Sequence, residues 1–200
     1  MKTFTSFVTT ITCLVLFSVP CMAGQNIESK VGAFDFGGSL MSESELVGRF
    51  GEGFIYEYKV GEKVFSKSRT YYYKDEQIWV KVDLSHVLDE NHERSVEAVT
   101  VTKKRLCNES YKPSNLIGPM ITSSGIAVGD QPEKVIKVYG KPGRKIEIMT
   151  DSRFSILKED LDLKRGLVFR YFPDDRNSLH MVEFYFQDSK LHSLIISISE

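Results

Sequence analysis

The chain has 200 residues, with 26 basic against 27 acidic side chains for a formal net charge of −1. Near neutrality with no long run of either sign speaks against a dedicated nucleic-acid binder, which carries a basic stripe. Aromatic residues make up 12% of the chain, and they fall in alternating rather than low-complexity stretches, as in half-buried strands.

The first element is a leader. Lys2, the apolar stretch Phe7 to Val19, then Cys21-Met22-Ala23 before the polar Gly24-Gln25-Asn26 form the pattern of a secretory signal peptide spanning 1–23, cut before Gly24. Its apolar core is shorter than the roughly 20 residues a bilayer span needs, and no later segment approaches that length. The mature chain is therefore expected to be periplasmic or secreted, without a transmembrane segment. Cys21 offers a lipid-attachment alternative, against which Pro20 beside the scissile bond counts. If Cys13 and Cys21 leave with the leader, Cys107 stands alone. The mature chain is then expected to form no internal disulfide, and whether Cys107 pairs between chains stays open.

From Met41 the pattern turns helical, with Met41, Leu46, Val47 and Phe50 apolar, Ser42 and Glu45 spaced as a capping box, and Gly51 as terminator. The stretches 68–74, 77–84 and 95–103 then alternate apolar and polar residues as strands do. A second short helix is expected where Asp130 can cap, Pro132 opens the first turn, Glu133 takes the capping-box position, Val135, Ile136 and Tyr139 form the apolar face, and Gly140 and Pro142 end it. Strands at 166–172, 180–186 and 191–199 follow. Aligned on Gly51 and Gly140, 89 residues apart, the two helices match position by position, which reads as a tandem repeat. The expected architecture is α+β: two tandem helix-plus-antiparallel-meander repeats, helices on one face of each sheet, at 24–107 and 125–200 around a linker at 108–124. Whether the two sheets join is left open by the sequence.

The segment "GIAVGDQPEKVIKVYGKPGRK", 125–145, resembles the signature of the SmpA/OmlA-type outer-membrane assembly lipoproteins: glycine, short helix, aromatic, glycine, proline. The doubled plan is similar to that of the secreted β-lactamase inhibitor proteins. This resemblance implies a non-catalytic, protein-binding scaffold in the cell envelope or outside the cell. The assembly lipoproteins carry one such unit and a clear lipid-attachment cysteine, and the inhibitors are pinned by disulfides; on both points this chain departs.

Gly140-Lys141-Pro142-Gly143 follows its helix instead of feeding one, and no hydroxyl residue succeeds the lysine, so it reads as helix punctuation and not a phosphate loop. The run 83–93 gathers Asp83, His86, Asp89, Glu90, His92 and Glu93, of which His86 and His92 are the weak metal candidates; neither fits a ligand spacing, and a solvated loop accounts for them. His180 and His192 lie near the starts of the last two strands. No Gly-x-Ser-x-Gly elbow anchors a hydrolase triad, and Asp174 and Asp175 share a turn. No cofactor is expected. The reading that results is an exported protein-binding scaffold or adaptor of the bacterial envelope, with Tyr71, Tyr73, Trp79, Phe184 and Phe186 as its candidate interface, since tyrosine and tryptophan contribute disproportionately to protein interfaces. The alternative is a small-ligand or metal-binding protein or enzyme using a cleft between the repeats.

Overall fold

A computed structural model describes residues 30–86, 93–107, 119–148, 165–172 and 180–198. The leader at 1–23, Cys21, His92, the Asp174-Asp175 turn and most of the 108–124 linker lie outside these residues.

The elements are β1 (Lys30–Val31), β2 (Phe34–Asp35), α1 (Glu43–Phe50), β3 (Phe54–Val60), β4 (Lys63–Tyr73), β5 (Ile78–Leu84), β6 (Val96–Thr102), α2 (Pro132–Tyr139), β7 (Arg144–Ile148), β8 (Gly166–Tyr171), β9 (His180–Gln187) and β10 (Lys190–Ile198). Strands β3 to β10 form one antiparallel sheet in the order β3-β4-β5-β6-β10-β9-β8-β7. This overturns the expected α+β architecture of two helix-plus-meander repeats. Among the described residues the fold is mostly β, 53% strand against 13% helix, and the two helices there, of eight residues each, are too small to form a layer of their own. The physical reason is the seam: β6 and β10 pair with each other, Val101 opposite Leu194 and Val99 opposite Ile196, so eight strands share one hydrogen-bonded plane.

Period-2 alternation then assigns the two faces. On one face Tyr71, Val80, Val101, Leu194, Phe184 and Phe169 lie in a single cross-strand row. Onto this face pack Leu46 and Phe50 of α1, Val135 and Tyr139 of α2, and Val31, Phe34, Met120 and Ile126 from the flanking segments, all in one buried cluster. The opposite face is polar at its centre, where Ser193 donates to Thr102 Oγ1 at 2.7 Å and Arg170 pairs with the buried Glu183.

Local chemistry explains the helix ends. Ser42 accepts from the Glu45 amide while Glu45 accepts from the Ser42 amide, so the expected capping box closes. At α2 the expectation fails: Gln131, not Asp130, is the N-cap, and no side chain caps it. Asp130 is drawn away by the Ala127 amide at 2.8 Å and by Lys134 at 2.7 Å. Ile136 is also corrected, from core to 42% exposed, because Pro132, Val135 and Tyr139 already form the narrow stripe that an eight-residue helix can bury.

Gly51 and Gly140 end the helices at φ +82° and +75° with ψ near 180°, a region open essentially to glycine alone. Each glycine carbonyl then accepts from a sheet tyrosine, Gly51 from Tyr71 at 3.2 Å and Gly140 from Tyr171 at 3.0 Å. Both hydroxyls are buried, which pushes their pKa up to about 12.

Candidate functional site

The interface residues chosen from sequence are mostly core. Tyr71, Phe184 and Phe186 pack in the helix-side cluster at 2% exposure or less, and Tyr73 is half-buried against it. Trp79 points to the other face, yet is only 6% exposed, beside Tyr72 with ring centroids 4.9 Å apart. Alternation locates a strand's two faces but does not say which of them is covered, and here helices and loops cover the aromatic-rich one. Four of these five residues thus hold the fold together, and none belongs to the open surface described next.

That surface lies on β3 and the outer end of β4. Ile55, Tyr56, Tyr58, Val60 and Phe65 are exposed, from 42% at Phe65 to 65% at Tyr56. β4 is longer than its inner neighbour: Lys63, Val64 and Ser66 pair with β3 alone, Phe65 is the extra residue of a bulge, and pairing with β5 begins at Lys67. The β3–β4 hairpin therefore continues past the sheet as a two-stranded arm. Its tip is the two-residue loop Gly61-Glu62, with Gly61 at φ +62° as such tight turns favour.

The arm has two unlike sides. Tyr56, Tyr58 and Val60 share one side, and the tyrosines stand opposite Ser68 and Ser66, whose short side chains leave the rings uncovered. On the other side Ile55, Glu57 and Lys59 adjoin a charged cluster. Glu43 of α1 takes Lys67 at 2.6 Å and Arg69 at 2.5 Å, Arg69 reaches Glu52 at 2.9 Å, and Glu57 meets Lys59 at 3.0 Å and Lys67 at 3.7 Å. Burial works to raise the Glu43 pKa, but hydrogen bonds from Lys67 and Arg69 outweigh it and hold the carboxyl below its usual range. The Lys59 hydrogen bond chiefly does the same for Glu57.

The outer end of the arm is braced on its β4 strand. Arg94 donates to Ser85 O at 2.6 Å and to Val64 O at 3.0 Å, and the Phe65 ring lies 5.4 Å from that of His86. The arm thus presents tyrosines on a fixed support, which suits recognition of another protein.

Sequence reading began the strands at 68 and missed β3. The signal was present: "FIYEYKV" alternates Tyr56, Tyr58 and Val60 with Glu57 and Lys59, and Gly61-Glu62 is a hairpin turn.

The other candidates are scattered. His86 is exposed and stacks near Phe65, while His92 lies outside the described residues. Among the described residues, no group of three or more His, Cys, Asp or Glu side chains is placed to hold a metal ion. His192 is half-buried on the polar face, with Nδ1 3.1 Å from Ser193 Oγ; burial, then Lys104 and Lys103, push its pKa down. Cys107 is half-buried and forms no disulfide among the described residues. A dent lined by Phe34, Asp35, Phe36, Leu40, Met41 and Val96 has a cavity volume of about 10 Å³, room for about one water and no small-molecule site. No helix of the described residues is long and apolar enough to cross a membrane.

Compared with protein-family models, curated proteins and solved structures, the chain finds no match in any of the three.

Proposed function

We propose that this chain is an exported, non-catalytic protein-binding module of the bacterial cell envelope, and that it engages its protein partner through the β3–β4 arm. One observation carries the reading: Tyr56, Tyr58 and Val60 stand exposed in a row along one side of an edge hairpin, with Ile55 exposed on its other side. Surfaces of this kind mark interaction sites, and an edge strand offers backbone groups to an incoming chain as well. The leader-like amino terminus and the resemblance of 125–145 to the envelope assembly lipoproteins support the compartment.

The test compares capture of envelope proteins by the chain and by a Tyr56→Ser, Tyr58→Ser variant of matched stability. A stoichiometric partner held by the chain and lost by the variant is expected. Equal capture by both removes the arm as the site, and capture by neither removes the binding reading.

A further inference from the structure

β3 is an edge of the sheet: among the described residues it pairs with β4 on one side and with nothing on the other. An exposed seven-residue edge invites a further strand, and natural proteins commonly blunt such edges with charge. Here the two charges on β3, Glu57 and Lys59, are opposite in sign and two residues apart, so they point to the same side of the strand.

That spacing has a geometric consequence for two copies of β3 meeting antiparallel about a two-fold axis. Every register centred on a residue keeps like faces together, and four of the seven centre on Tyr56 to Lys59. Centred on Tyr56, the pairing sets Glu57 against Ile55. Centred on Glu57 it opposes two carboxylates, and centred on Lys59 it opposes two ammonium groups, both destabilising. Centred on Tyr58, the five positions from Tyr56 to Val60 are all matched. Glu57 faces Lys59 of the second copy, and Lys59 faces its Glu57. On the other side Tyr58 faces Tyr58, and Tyr56 faces Val60. Opposite charges and aromatic pairs directly across strands are the contacts that stabilise antiparallel ladders.

We propose that the chain forms a two-fold dimer through β3–β3 pairing centred on Tyr58. The inference rests on the arm being a binding surface, and it names the first occupant of its edge as a second copy. Strand pairing uses the backbone edge and leaves the tyrosine faces open. The dimer therefore joins two sheets and aligns Tyr56 and Tyr58 of both copies in one row, a doubled surface for the partner. Because the contact is isologous, it closes on itself and does not propagate.

The experiment is sedimentation equilibrium of the purified chain with Glu57→Lys, Lys59→Glu, an equimolar mixture of the two, and the double variant. In the centred register each single variant meets its own like charges twice, and association should weaken roughly tenfold or more. The mixture restores both opposite-charge pairs as a heterodimer, and the double variant restores them as a homodimer. A chain that is monomeric throughout, or a dimer indifferent to both single variants, overturns the proposal.

Should the charge variants fold poorly, disulfide trapping reads the register independently. With native cysteines replaced by serine, Tyr58→Cys is expected to cross-link to its counterpart. Val60→Cys lies about 13 Å from its own counterpart in this register and is expected not to; the reverse pattern overturns it. Partner capture distinguishes the two proposals. A monomer that still loses its partner with the tyrosine variant leaves the binding function standing without the dimer. A rescued dimer that captures nothing does the opposite.

Discussion

Phe184 and Tyr56 are both aromatic residues on strands, and replacing each with alanine separates core from surface directly. Phe184 is fully buried, with ring centroids 5.2 Å from Tyr139 and 5.8 Å from Tyr171, between Leu194 and Phe169 on the neighbouring strands. Removing such a ring costs about 3–5 kcal/mol, through lost burial and the cavity left behind. Against a total of roughly 5–15 kcal/mol for a folded domain, that is a large share. For a domain of this size it corresponds to a fall in Tm of about 6–20 °C. Tyr56 is 65% exposed and faces only Ser68 across the ladder, so Tyr56→Ala should change stability by no more than about 0.5 kcal/mol. Urea unfolding measures both: the midpoint should drop for Phe184→Ala at an unchanged slope, and stay in place for Tyr56→Ala. If Phe184→Ala costs less than about 1 kcal/mol, or Tyr56→Ala costs as much as Phe184→Ala, the assignment of the two faces is wrong.

Three other outcomes follow from the same geometry. Ser42→Ala opens the capping box of α1 and should cost about 1 kcal/mol, whereas Gln131→Ala at α2, where no side-chain cap exists, should cost little; thermal melts of the two compare them. Glu43 has a folded pKa below its unfolded value, so its contribution is present above the ordinary carboxylate range near pH 4–5 and is lost as pH falls through the lowered pKa. Glu43→Gln should therefore flatten the acid limb of a stability-against-pH curve, and an unchanged limb would count against the cluster with Lys67 and Arg69. Tyr71 and Tyr171 have folded pKa values near 12, above the ordinary value near 10, so their contribution is complete below pH 10 and disappears as pH rises through about 12. Burial raises the Tyr185 pKa as well, so ultraviolet titration should show at least two tyrosines fewer ionising near pH 10 in the wild type than after denaturation, a deficit that shrinks by one in Tyr171→Phe.

Sequence by itself determined much of the local structure. Alternation placed β5, β6, β8, β9 and β10 within about two residues of their ends, because one face of each strand had to be apolar. Ser42, Glu45, Gly51, Pro132 and Gly140 set the helix limits through caps and φ requirements that act over a few residues. Other features required the tertiary structure. The β6–β10 seam, on which the sequence is silent, joins the strands into one eight-stranded sheet, a pairing between residues about 95 positions apart that no local pattern encodes. Burial was decided the same way: Phe184 and Tyr56 are alike as strand aromatics, and only the packing of α2 over one face and the place of β3 at the edge of the sheet made one core and the other surface. A side chain's period is written in its neighbours along the chain. What covers it is decided by segments that reach it through space.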